Sequence, residues 1–413
     1  MRKIGLIGYI LLGMILPHLT AEAQVPGNLR KYVKVGMLHH FADAWLCEYG
    51  YNNSYMEGLI WPAVHAKQDN FVSARWWIGT RDFKDETNKD WSYFSLWIDR
   101  ENENKSLFYP MEHKQIAKFQ LPRVYVDGNE VSETTPEYSS IIDSIDNDQI
   151  PDRIVITRIN TCIGLTIHRV VKVFSQQYHS NYFIYEITLE NTGNTDQDDE
   201  IERPNTTLKD IRFGGLIHYA TCRAGNYLFN QQQSWGIDQW MTKRGETYAD
   251  WLAGKPGSDS LRCFFSWLGR DANANYDNIG SPNDSLNGRL ESPQHTGLVF
   301  IHADRSPNDS TDDPGQPSTV GWNGNDDFPQ TVVYDEASMR ETYEFLAGKM
   351  LNGNTNRMDS SMSTNPYPKS LLGDDLGGAS GAAAWGPYTL APGEKVKIVY
   401  AQGVSGLSRS RCE

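Results

Sequence analysis

Positive charge is in short supply in this sequence. Lys and Arg number 38 against 52 Asp and Glu, giving a formal net charge of −14 and a pI near 5.2. Nucleic acids and anionic membrane surfaces are held by clustered cations, so neither is expected as a partner. Cysteine is scarce too: Cys47, Cys162, Cys222, Cys263 and Cys412 are the 5 present. Five thiols over this length do not make a disulfide scaffold, and the odd count leaves at least one unpaired within the chain. No CxxC pair occurs, which argues against structural zinc. HExxH, GxSxG and the phosphate-cradling P-loop are all missing, so the commonest metalloprotease, serine-hydrolase and nucleotide-binding chemistries have no sequence support.

Long apolar runs are confined to the start of the chain. Arg2 and Lys3 precede the apolar stretch Ile4 to Leu16, and Ala21-Glu22-Ala23 supplies a small-x-small cleavage site. This is the pattern of a secretory signal over residues 1–23, with an apolar part too short to span a bilayer comfortably. No cysteine follows the cut, so lipid attachment there is not expected. A mature protein beginning at Gln24, secreted or held at the cell surface and not inserted in the membrane, is the expectation. An acidic exported chain of this kind suits neutral partners or divalent cations.

What is abundant is period-two alternation of β-branched and aromatic residues between Asn, Asp, Gly and Pro. In "YFIYEITLENTGN", Phe183, Tyr185, Ile187 and Leu189 share one face while Glu186, Thr188 and Glu190 share the other. "CIGLTIHRVVKVF", "WSYFSLWID", "GLVFIHAD" and "KVKIVYAQG" read as further strands. One stretch has helical spacing: "DEASMRETYEFLAGKML" lines up Met339, Tyr343, Leu346 and Met350, with Asp335 as N-cap. The expected fold class is therefore all-β, a β-sandwich or super-sandwich with one or two short helices. An acidic break near 136–150 divides the mature chain into a β unit over 24–140 and a larger one over 150–404, which could share one extended sandwich. Residues 405–413 read as a tail. Long polar loops such as "NTDQDDEIERPNTT" and "DRSPNDSTDDPGQPS" suit surface decoration or binding rims.

Three stretches in order, "WPAVHAKQDNFVSARWWIG", "DNDQIPDR" leading to "ENTGN", and "GPYTLAPGEKVKIVYAQGV", carry a resemblance. They are similar to large secreted surface proteins of gliding Bacteroidetes-type bacteria, associated with type IX secretion and without an assigned activity. That resemblance implies a β-rich surface protein with a further sorting domain. The chain instead ends in "SGLSRSRCE", which suggests either a truncated chain or another export route. A looser similarity, in "GLTIHRVVKVF", "YFIYEITLENTGN" and "IRFGGLIHYA", is to galactose-mutarotase-like super-sandwiches, folds that accompany carbohydrate-acting enzymes.

Two candidate sites follow from residue chemistry. Calcium loops array hard oxygen ligands around one cation, alternating along the chain. Within "DNDQIPDR", Asp146, Asp148 and Asp152 fall at ligand positions 3, 5 and 9, and Ile150 would offer its carbonyl at 7. Position 1 is Ser144 and the turn glycine is replaced by Gln149, so the loop reads sooner as an acidic turn leading into a strand than as a working calcium site. The second candidate is aromatic. Sugar rings stack their CH faces on Trp and Tyr while amides and carboxylates hold their hydroxyls. "QQQSWGIDQWMTKRGETYADW" has that mixture in Trp235, Trp240, Tyr248 and Trp251. Buried core tryptophan is the plain alternative. Of the 10 histidines, adjacent His39 and His40 point to opposite faces of a strand, and His168, His218 and His302 read as structural. Glycosidic chemistry needs two facing carboxylates, and no pair has a recognisable context. The leading expectation is a non-catalytic structural or adhesive protein of the bacterial surface. The alternative is a carbohydrate-binding or carbohydrate-processing protein with polysaccharide as partner and Ca2+ as candidate cofactor.

Overall fold

The computed structural model describes residues 30–48, 58–63, 69–98, 107–120, 125–130, 141–221, 239–243, 262–268, 293–324, 328–349, 379–406 and 408. Its strands are, in chain order, β1 (Arg30–Val35), β2 (Leu38–Asp43), β3 (Phe71–Lys84), β4 (Asp90–Ile98), β5 (Phe108–Ala117), β6 (Tyr125–Val126) and β7 (Asn129–Glu130). After the acidic loop come β8 (Ser144–Ile145), β9 (Arg153–Thr161), β10 (Leu165–Val173), β11 (Tyr182–Asn191), β12 (Leu208–Tyr219), β13 (Gln239–Lys243) and β14 (Cys263–Leu268). The last are β15 (Gln294–Ser306), β16 (Asp309–Asp312), β17 (Thr319–Gly324), β18 (Ala379–Leu390) and β19 (Lys395–Gly406). Among the described residues there is one helix, α1 (Glu336–Leu346).

The strands form two main sheets. A ten-stranded sheet runs β13-β14-β15-β19-β11-β10-β9-β5-β8, with β16 paired to β15 off that path. A five-stranded sheet runs β17-β18-β12-β3-β4. All main pairings are antiparallel except the short β5–β8 bridge. The expected all-β sandwich is the observed architecture. Both sheets take strands from both sides of residues 136–150, since β5 pairs with β9 and β3 with β12. One sandwich therefore unites the two segments that composition divides.

Alternation explains the assembly. In β11 every second residue, Phe183 to Asn191, is buried, while Glu186 and its partners Lys172 and Lys397 sit on the outer face. The inner faces meet in an aromatic stack. Trp76 of β3 lies parallel to Phe213 of β12 at 5.0 Å, and reaches across to Tyr400 of β19 at 5.9 Å. Tyr400 in turn stacks on Tyr185 of β11 at 4.9 Å. The helix covers the other face of the five-stranded sheet, as the spacing of "DEASMRETYEFL" predicts. The Asp335 carboxylate accepts from the Ser338 N–H at 2.8 Å, and Met339, Tyr343 and Leu346 are buried. Close approach is possible because β3 offers Gly79 there: a Cβ would lie 2.7 Å from the Tyr343 ring.

Not everything inside is apolar. The Arg169 guanidinium is buried in β10 between the Glu48 carboxylate, to which it donates, and the Asp43 carbonyl, which accepts at 2.5 Å. Thr157 Oγ1 lies 3.4 Å from the same guanidinium and 3.0 Å from His113 Nδ1. Burial pushes His113 down to about 3, helped by the charges of Arg169 and Lys31. Burial also pushes His40 down to about 3, opposed by the Gly58 backbone. The Glu48 carboxyl is pushed up to about 7 by burial, with Arg169 pulling it down.

These directions fix a pH dependence. A histidine with a depressed folded pKa contributes stability that is complete above 6.5 and is lost as the pH falls toward 3. Glu48 runs the opposite way: its contribution is complete below 4.5 and is lost as the pH rises toward 7. Two histidines outweigh one carboxyl, so lowering the pH from about 7 to about 5 costs about 2 kcal/mol net. Urea unfolding at the two pH values measures it. Equal stability at both would show that these side chains titrate freely.

Candidate functional site

The described surface holds a cleft of about 720 Å³ at one end of the sandwich. This falls within the range of small-molecule sites, ~300–1,000 Å³. It is built mainly from connections, with the last residue of β3 and the start of β5. One wall is the turn between β3 and β4, with Lys84, Asp85 and Glu86; another is the segment entering β5, with Leu107 and Tyr109. Cys162, in the turn from β9 to β10, and Tyr334, just before α1, complete the floor and flank. The rim is the crossover from β11 in one sheet to β12 in the other, with Asp196, Glu202 and Asn205.

The crossover loop holds its shape through its own side chains. Asn194, Asp196 and Asp198 each accept from the backbone N–H two residues on, at 3.1, 2.9 and 2.8 Å. Glu202 Oε2 reaches back to the Thr195 N–H at 2.7 Å and its hydroxyl at 3.0 Å. Asn160 of β9 anchors the loop through the Asp196 carbonyl at 2.9 Å. Asp196, Asp198 and Glu202 are the one group of three among the described residues whose ligand-type oxygens lie within 4.8 Å of one another.

The cleft combines apolar walls with carboxylates. Tyr334 packs against Phe94 at 5.6 Å and Trp91 at 6.1 Å, and donates its hydroxyl to Glu86 Oε1 at 3.0 Å. Burial holds the Tyr109 and Tyr334 phenols and the Cys162 thiol above their ordinary values, so all three are neutral at physiological pH. Asp85 is occupied structurally. Burial alone would raise its carboxyl, but donation from Trp91 Nε1, the Thr87 hydroxyl and the Lys89 and Thr87 backbone brings it down to about 2.

The sequence candidates fall elsewhere. Asp146, Asp148, Ile150 and Asp152 lie in the connection from the short β8, at the end of the ten-stranded sheet, to β9. There Asp146 Oδ1 accepts from the Asp148 N–H at 3.0 Å, Asp152 Oδ2 accepts from the Ser175 N–H at 2.7 Å, and Ile150 is 83% exposed. Asn147 and Gln149 donate to the Lys118 and Pro151 carbonyls at 2.7 and 2.9 Å. Asn147, Gln149 and one oxygen each of Asp146 and Asp152 are thus turned onto backbone. Asp152→Ala is expected to lower stability by about 1 kcal/mol through the lost Ser175 bond, equally in calcium and in chelator. Thermal melts in the two buffers check this, and a shift seen only with calcium would support the metal reading instead.

Of the aromatic candidates, Trp235, Tyr248 and Trp251 lie outside the described residues. Trp240 is on β13, opposite Trp267 of β14 in register, on the edge of the ten-stranded sheet. His168 faces Glu190 at 3.1 Å and His302 faces Asp304 at 2.8 Å, so both have carboxylate partners. Tyr109, Tyr334, Glu86 and Glu202 escape sequence reading because they lie on three separate connections and the start of β5. The signal pointing toward them is the length and polarity of the 194–207 crossover.

No known family matches the chain, and comparison with curated proteins returns no match. Among the described residues no helix is long and apolar enough to cross a membrane.

Proposed function

We propose that this is an exported, non-catalytic β-sandwich protein of the bacterial surface, of the kind made by gliding Bacteroidetes-type bacteria, with an adhesive role exerted through carbohydrate. The observation that carries the reading is the cleft: Tyr109, Tyr334 and Leu107 line it together with Asp196, Glu202 and Asn205. A sugar needs that pairing, because its CH faces prefer aromatic rings while its hydroxyls need acceptors. A purely structural module needs no such concavity. Hydrolysis would call for a carboxyl kept protonated as general acid. Asp85 is displaced the other way, toward ionisation.

The test is retention of residues 24–413 on a panel of immobilised polysaccharides, with calcium and with chelator. Retention is expected on at least one polymer, and Tyr109→Ala is expected to weaken it about tenfold, a loss of ~1.4 kcal/mol. Tyr109 is only part-buried, so the fold should survive the change. Failure of the wild-type chain on every polymer would return the protein to a structural role.

A further inference from the structure

Resting on the carbohydrate reading, we propose that the cleft selects an amino sugar: a short oligomer whose ring carries a free, protonated amine.

The apolar walls come first. Tyr109, Tyr334 and Leu107 line a cleft of about 720 Å³, far larger than a lone cation needs and furnished with surface that a bare polyamine or ion would leave unused. The Tyr109 hydroxyl, which opens into this space, has no hydrogen-bond partner among the described residues. A ring with hydroxyls and a CH face satisfies both features.

The charge then chooses among sugars. Each of three lining carboxylates spends one oxygen on the protein and keeps the other. Asp196 uses Oδ1 on the Asp198 N–H, Glu202 uses Oε2 on Thr195, and Glu86 uses Oε1 on the Tyr334 hydroxyl. Two cations, Lys84 and Arg203, line the same cleft and offset part of this charge, against four carboxylates once Asp85 is counted. Arg203 donates Nη1 to the Lys84 carbonyl at 2.6 Å and lies over the Phe83 ring, while Lys84 Nζ pairs with Asp90 at 3.6 Å. A neutral sugar leaves the uncompensated charge as it is. An N-acetylated one puts an uncharged amide in its place. An ammonium group donates up to three charge-assisted hydrogen bonds to just such oxygens.

Calorimetric titration of the full chain, slightly below neutral pH and at low salt, decides it. The probes are a glucosamine oligomer, its fully N-acetylated form and the corresponding glucose oligomer. The glucosamine oligomer is expected to bind at least about tenfold more tightly than either, with the preference shrinking as salt is raised. Glu202→Gln and Glu86→Gln should each remove most of that preference, and thermal melts matching the wild-type chain show that the variants are folded. Equal binding of the three probes, or preference for a neutral one, overturns the amino-sugar assignment and leaves the carbohydrate reading standing. Binding abolished by chelator overturns it as well, because the carboxylates would then be metal ligands. No binding of any sugar overturns both.

Discussion

Arg169→Met lowers the stability of the folded chain by about 3–5 kcal/mol, the cost of leaving a buried partner charge without its counterion. The guanidinium is 2% exposed and is the donor to Glu48, itself nearly as buried, and to the Asp43 carbonyl. Methionine fills much of the same volume, so the loss is electrostatic and not a cavity effect. Burial already drives Glu48 up to about 7 with the arginine present. Without it, the folded-state pKa rises further above the unfolded value of 4.5. A raised carboxyl contributes stability that is complete below the unfolded pKa and is lost as the pH climbs. The deficit of the variant is therefore larger at pH ~8 than at pH ~5. Adding Glu48→Gln should recover a large part of it, since the orphaned charge is gone. Denaturant unfolding of the single and double variants at both pH values gives the coupling. A deficit under about 1 kcal/mol at pH ~8 would show that water reaches Glu48 and that the pair is not truly buried.

Trp385→Ala costs about 3–5 kcal/mol, for a different reason. Its indole is 1% exposed and joins elements of both sheets: it stacks on Trp76 at 6.5 Å and Phe213 at 6.3 Å within the five-stranded sheet. Across the interface it meets Tyr400 at 5.8 Å and Phe300 edge-on at 5.6 Å. Truncation removes its apolar surface from the interior and leaves a cavity between sheets whose ladders hold them apart. Trp385→Phe keeps a ring in the stack and should cost less than half as much. Thermal or urea unfolding of both variants measures the difference. Equal losses for Phe and Ala would mean that the stack contributes volume alone and no ring-specific contact.

The two effects differ in how far they could be foreseen. Trp385 lies in "GAAAWGPYTL", where small residues flank an aromatic, and its burial is the ordinary fate of a sandwich tryptophan. Arg169 is a charged residue in an apolar row. In β10, Leu165, Ile167, Arg169, Val171 and Val173 occupy alternate positions, so the alternation itself puts the arginine on the inner face. Nothing local says that a counterion waits there, because Glu48 stands 121 residues earlier. The His40 and His113 titrations were equally illegible, being set by burial among residues from remote strands.

The acidic loop and the cleft show the same division. "DNDQIPDR" has the composition of a ligand loop, yet whether its oxygens converge depends on what lies beside it. The ends of β5 and β10 supply the Lys118 carbonyl and the Ser175 N–H that meet Asn147 and Asp152. The cleft, conversely, carries no motif at all. Its parts come from near residues 85, 108, 162, 200 and 334, each unremarkable in its own stretch.

Local chemistry by itself determined the elements: alternation with period two makes strands whose apolar faces must be covered, and one helical spacing behind an Asp cap makes α1. It also determined the all-β class, because the apolar faces of strands so patterned must be covered, chiefly by other strands. The tertiary structure alone decided which strands became neighbours, which charges were buried together and which connections met at one end to enclose a cleft. Pairing and packing join residues far apart in the chain, and their energies depend on water excluded by all of the partners at once, a quantity that no single stretch contains.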